Sequence, residues 1–316
     1  MQKRIVYILP LLLVLFWTKT NAQNFNISNE RTFSNLFNKH VDTLNNFHTS
    51  IKPFSKNEIS DFDAIIDSYK TEKGDLIRNK HLINSSSKKL KLTLDPIVNL
   101  GHTLEKSNTF SQNFTETALG FNLQTSFGEK WSSQIMILAD NSKYPSHVDS
   151  LIENKNISPG YGYSKNGRAF FAQANITFTA DEHFTFQLGY GKNFIGDGYR
   201  SLFLSDNANS YPYLKVTANI WKLKYMALYT NYQDIRFSDG NMNDFSQKLS
   251  TVHYLSYNAT KWCNIGLFES IMWQAQEGNY YRGYDINYFN PVIFLRPTEY
   301  SQGSADNALL GASMKF

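Results

Sequence analysis

From Lys88 onward the chain changes polarity with a period of two residues, and no other feature constrains its fold as strongly. Leu90, Leu92, Leu94, Val98 and Leu100 alternate with Lys89, Lys91, Thr93, Asp95 and Asn99. Only an extended strand sorts such a sequence onto two faces, one apolar and one polar. Pro96 lies inside this segment, which predicts a free edge or a bulge there, because proline cannot donate to a ladder. The pattern returns at Leu119–Phe127, Trp131–Ala139, Phe170–Phe178, Phe184–Tyr190 and Leu214–Ile220. It continues through Leu223–Phe237, Leu249–Ala259, Ile265–Trp273 and Leu310–Phe316. Tight turns such as Gly128-Glu129 and Asp181-Glu182 alternate with longer polar connections, as in antiparallel membrane barrels of about ten strands.

A soluble all-β sandwich would also alternate, so further signals are needed. Aromatic residues gather at predicted strand ends: Trp131, Tyr190, Tyr213, Trp221, Trp262 and Trp273 sit where an interfacial belt wants them. The chain ends on Phe316 after alternating apolar residues, similar to the terminal signal read by outer-membrane insertion machinery. The composition, 15% aromatic with 24 Phe and 19 Tyr, fits the same reading. A mean hydropathy of −0.41 is no objection, since lumen-facing polar residues balance lipid-facing apolar ones.

The first 22 residues read as a secretory signal peptide: Lys3 and Arg4, then the apolar run Ile5–Trp17, then Thr20-Asn21-Ala22 before the cut. No later segment approaches the ~20 apolar residues of a membrane helix. Residues 23–87 are polar and lack the two-residue rhythm, so they form a separate periplasmic or plug region. Within it Phe62, Ile65, Ile66 and Tyr69 have helical spacing, with Ser55 and Glu58 as a capping pair. The apolar stripe of that helix needs cover, and the barrel interior or its periplasmic mouth is the expected surface. Residues 88–316 form the barrel.

Several function classes are excluded or weakened. One cysteine, Cys263, precludes an intramolecular disulfide framework or a Cys-rich metal centre. A net charge of +4 with scattered Lys and Arg gives little support to nucleic-acid binding. The seven His lack metal-ligand spacing, no GxSxG elbow occurs, and Gly189-Tyr190-Gly191 opens no helix. The expectation is therefore a non-enzymatic protein that needs no cofactor and no metal.

Two blocks carry a resemblance. The first runs from Gly189 to Ala208 and includes Gly196-Asp197-Gly198-Tyr199-Arg200, with Tyr211-Pro212-Tyr213 after it. The second contains Arg282-Gly283-Tyr284-Asp285, Phe289–Tyr300, Gly303-Ser304 and Asp306–Gly311. In their order and length these blocks resemble the capsule-assembly Wzi family, closest to its RemB-like branch linked to gliding motility. Around His48-Thr49-Ser50-Ile51-Lys52-Pro53 the match is weak. The resemblance implies an outer-membrane barrel of about eighteen strands. It also implies a role in capsule or exopolysaccharide assembly or retention, or in adhesion and gliding. Family members continue beyond the second block, so the expected barrel is incomplete relative to the family.

The residues themselves leave two readings open for the first block. Lys192, Asp197, Arg200 and Asp206 could brace a loop at a barrel mouth or in the lumen, or Arg200, Asp206, Tyr199, Tyr211 and Tyr213 could contact sugar rings. Bracing is the preferred one, since a confined loop must first satisfy its charges. Glu269 interrupts the apolar set Ile265, Leu267, Ile271 and Trp273, and is expected to turn inward and pair with Arg282, Arg296 or Lys192. Arg296 and Glu299, flanking Pro297, receive the same structural reading. Expected partners are outer-membrane lipid, extracellular polysaccharide, and other envelope or motility proteins. The competing expectation is a porin-like channel for small solutes, and a lipid hydrolase is a distant third.

Overall fold

The computed structural model describes residues 24–29, 37–38, 40–44, 46–60, 62–68, 81–106, 111–155, 157–158, 162–165, 168–234, 241–290 and 306–316. The two-residue rhythm becomes one large antiparallel sheet. Its main path has eleven strands: β1 (Ile83–Ser86), β2 (Leu90–Lys106), β3 (Ser111–Phe127), β4 (Trp131–Asn141), β5 (Arg168–Thr179) and β6 (Phe184–Gly191), then β7 (Tyr211–Ile220), β8 (Leu223–Asp234), β9 (Ser246–Thr260), β10 (Cys263–Gln274) and β11 (Asn307–Lys315). Each pairs with its sequence neighbours, a pure meander. Ten match the segments read from the alternation, and β1 was not foreseen because four residues are too few to show a period. β1 covers β2 only from Lys91 to Leu94, so Pro96 has its missing N–H on an uncovered edge.

Cross-strand register fixes the two faces. Val98 stands opposite Leu119, Phe121 opposite Ile137, Ile176 opposite Leu188, and Leu188 opposite Leu214. This apolar face is the exposed one over β2 to β7: Leu100 is 73% exposed and Leu188 63%. The polar face is the more covered one over β5 to β7, with Gln187 3% exposed and Lys215 7%. A protein folded in water would have the opposite arrangement, since burial of apolar surface drives folding there.

The polar face is covered by the N-terminal region. That region has its own small core of Ile27, Phe37, Val41, Phe54, Ile59 and Ile65. The helix expected from Asn57 to Tyr69 is realised as a single turn, Lys56–Glu58, and α1 (Phe62–Ser68). The break follows from Ile59, which takes extended backbone and buries its side chain in that core. Ile51 and Lys52 then pair antiparallel with Ile195 and Phe194, and the pair packs on Met226, Leu228, Val252, Tyr254 and Phe268 of the sheet. The apolar stripe of the helix, expected to rest on the barrel interior or its mouth, is buried instead in this small core, where Phe62, Ile65 and Ile66 pack, and it is Ile51 that meets the sheet.

Aromatic rings collect at one end of the exposed face, where the turns are short. Trp131 packs on Phe178 with centroids 4.7 Å apart, Trp221 on Tyr257 at 6.3 Å, and Trp262 on Phe316 at 6.2 Å. Phe170 and Tyr190 are exposed toward the long-loop end. Two expected belt residues lie elsewhere: Tyr213 is on the covered polar face, and Trp273 is buried beneath Tyr284 and Tyr288. Among the described residues no helix is long and apolar enough to cross a membrane.

Candidate functional site

The first sequence block folds back across the polar face. After β6, Asn193 donates its backbone N–H to the Tyr211 hydroxyl at 3.1 Å, and its side-chain oxygen accepts from Lys215 at 3.3 Å. Gly196 has φ of +148°, a backbone that favours glycine, and its N–H reaches Ser50 O at 2.8 Å. Asp197 then accepts from Ser50 at 2.5 Å and from the Thr49 hydroxyl. Phe203 stacks on Phe268 at 4.7 Å and fills the space over Gly311, where a Cβ would meet its ring at 2.3 Å. The block is therefore folded against the covered face of the sheet, and Asp197 braces the N-terminal region.

The residues considered for sugar contact divide. Tyr211 and Tyr213 are buried, Tyr213 donating to Gln187 at 3.0 Å, so their ring faces are unavailable to a ligand. This corrects their reading as stacking platforms: in-facing strand positions under the plug are packing positions. Tyr199 and Arg200 are exposed, with the guanidinium 5.8 Å from the ring centroid. Asp197, Tyr199 and Asp206 line a cavity of about 310 Å³ with Lys52, Phe54 and Phe194. The Lys52 ammonium lies 5.2 Å over Phe194 and 5.8 Å over Phe54. Burial pulls its pKa below the usual lysine value, and Asp197 opposes that shift. Lys192 sits over the Phe171 ring at 5.4 Å, and burial lowers its pKa, with Asp206 opposing.

Glu269 does not turn inward. It stays in register with Ile265, Leu267, Ile271 and Trp273, directly across from His253, on the face opposite Lys192. The expectation fails because that face is not uniformly exposed. Ala275 and Tyr288 close over Leu249, Ile271 and Trp273, leaving Glu269 and His253 both 3% exposed. His253 shares a hydrogen bond with the Tyr225 hydroxyl on the same face.

The second block forms a clamp. Arg282 donates to both oxygens of Asp306 at 2.5 and 2.8 Å, while Asp285 lies 3.7 Å away. The Tyr288 hydroxyl also donates to Asp306. The bidentate carboxylate raises the guanidinium pKa, so the clamp is charged at any working pH. Arg296 and Glu299 lie outside the described residues.

Sequence reasoning missed the couplings between the N-terminal region and the sheet. Lys224 donates to Glu58 at 2.6 Å, Lys315 to Asp42 at 2.6 Å, and His48 bonds Ser256 at 2.8 Å and Asn258 at 3.3 Å. Inward-facing Lys215 and Lys224 in a polar row were the available signal, but their partners are far away in sequence. Between plug and sheet lies a cavity of about 840 Å³, floored by Thr177, Thr185, Gln187, Lys215 and Thr217 and roofed by Asn26, His48 and Glu58.

His48 gives a pH prediction. Burial, reinforced by the Lys224 charge, lowers its pKa from 6.5 to about 4. A released plug would protonate His48 near pH 6.5, whereas the seated plug resists until about 4. Docking is therefore strongest above pH 6.5 and weakens as pH falls through that interval. Limited proteolysis at stepped pH should show cleavage within residues 37–60 rising across this window, and His48→Gln should flatten the rise. Comparisons with family models, curated proteins and solved structures return no match for this chain.

Proposed function

We propose that this chain is a non-enzymatic outer-membrane β-barrel protein that helps assemble or retain capsule or exopolysaccharide at the cell surface, or supports adhesion and gliding there. One observation carries the membrane part: over β2 to β7 the sheet exposes its apolar face, while polar residues such as Gln187 and Lys215 on the other face are covered by the N-terminal region. Lipid is the solvent in which that arrangement is favourable. The aromatic pairs at the short-turn end support the same placement. The polysaccharide part rests on the resemblance of the two blocks to the capsule-assembly Wzi family; the first block holds the Asp197 brace and the second the Arg282 clamp. Exposed Tyr199 and Arg200 supply a ring face and planar donors, and Lys52 and Asp206 bound the adjoining cavity.

Deletion of the gene should lower surface-bound polysaccharide or impair gliding and adhesion. Tyr199→Ala with Arg200→Ala should reproduce the loss while the protein keeps its heat-modifiable migration. Unchanged polysaccharide, adhesion and motility in the deletion strain would refute this function. The competing channel reading draws on the polar cavity of about 840 Å³. With the plug seated in the lumen, planar bilayers should show no single-channel steps, and steady conductance would favour the channel instead.

A further inference from the structure

We propose that the short-turn rim of the sheet is a collar for anionic phospholipid headgroups, an inference that rests on the membrane reading above. Three tryptophans lie at this rim, and each is adjacent in sequence to a lysine: Lys130-Trp131, Trp221-Lys222 and Lys261-Trp262. All three indoles are exposed, Trp221 by 73%. Each packs tilted or stacked on an aromatic neighbour of the apolar face, so the rings are held at the boundary.

The Trp221-Lys222 turn adds an independent sign. Trp221 has φ of +58°, a left-handed backbone that glycine or asparagine adopts readily and a bulky aromatic residue does not. In water the exposed indole has Tyr257 and the Lys222 ammonium against its ring to set against that backbone cost. At a bilayer surface the ring enters the headgroup layer, which tryptophan prefers. The Lys222 ammonium lies 5.4 Å over that ring and points across to Ala259 O, near the adjoining Lys261-Trp262 turn. An ammonium beside an interfacial indole is at the depth of the lipid phosphate.

Charge decides which lipid. Lys88 and Lys89 in the β1–β2 turn are exposed and extend the row. The rim acids are Glu129, Asp181, which accepts from the backbone N–H groups of His183 and Phe184, and Glu182, 3.6 Å from His183, so Lys88, Lys89, Lys130, Lys222 and Lys261 outnumber them five to three. The excess of lysine favours a headgroup with phosphate and no compensating cation, such as phosphatidylglycerol, over phosphatidylcholine.

The test is lipid association measured by spin-labelled lipids on the full protein in phosphatidylcholine vesicles. Spin-labelled phosphatidylglycerol should associate roughly threefold more than labelled phosphatidylcholine, and 1 M salt should reduce the preference. The combined variant Lys88→Gln, Lys89→Gln, Lys222→Gln and Lys261→Gln should bring the two lipids level. Lys130 is left in place because it donates to Ala180 O at 2.8 Å. Trp221→Gly, which relieves the backbone, should keep the fold and lower association of both lipids. Equal association in the unmodified protein, or a preference that survives the lysine changes, overturns the collar alone. Absence of any lipid-restricted signal overturns the membrane reading beneath it.

Discussion

Leu188→Arg should abolish accumulation of the folded protein in the outer membrane, while Thr185→Arg, three positions earlier on the same strand, should be tolerated. Leu188 is 63% exposed and sits between Ile176 and Leu214 in the middle of the apolar face. If water surrounds that face, an exposed Leu→Arg change shifts stability by no more than about 0.5 kcal/mol. If lipid surrounds it, arginine near the midplane costs about 2–4 kcal/mol, enough to divert assembly to degradation. Thr185 faces the polar cavity, where a charge can be hydrated. The readouts are abundance in the membrane fraction and heat-modifiable migration. A Leu188→Arg protein as abundant and as well folded as its parent would remove lipid as the solvent of this face.

The second large effect is expected at the plug. Lys224 is buried and ion-paired with Glu58 at 2.6 Å, the shortest bridge from the sheet to the N-terminal region, together with Lys315–Asp42. Lys224→Met leaves a carboxylate against a covered polar floor. Breaking a buried pair on one side costs ~3–5 kcal/mol, and the partial exposure of Glu58 brings this to about 2 kcal/mol. Hydrogen exchange across residues 46–60 should then accelerate by about 30-fold, with β8 and β9 unaffected. Adding Glu58→Leu removes the stranded charge and should restore most of the protection. Were the single and double variants to exchange alike, the bridge would not be what seats the plug.

Strand positions were legible because a two-residue period leaves one solution for which face each side chain takes, and Leu188 or Gln187 could be assigned before any coordinates. Which residues share a face was legible in the same way, from Lys215 and Thr217 alternating with Leu214 and Val216. What failed did so where tertiary cover overrides the local pattern. Glu269 looked out of place among Ile265, Leu267 and Ile271, yet it keeps its register because Ala275 and Tyr288 shelter that end of the face. Tyr211 and Tyr213 looked like exposed rings near a charged loop, but the loop folds onto them. No local signal announces that a loop will return to the face it left. The pairings His48–Ser256 and Lys224–Glu58 were equally hidden, since sequence spacing carries no information about partners in different layers.

The antiparallel match of Ile51 with Ile195, and the bond from His48 to Ser256 some 208 positions later, has a consequence for biogenesis. The stretch that is made first acquires its surroundings only after nearly all the rest has been synthesised and delivered. Until then Ile51 has no wall to rest on, and its hydrophobic surface would invite aggregation. In the proposed route a periplasmic chaperone has to shield this segment during transit, and strains lacking such chaperones should lose this protein earlier than barrels whose termini have nothing to wait for.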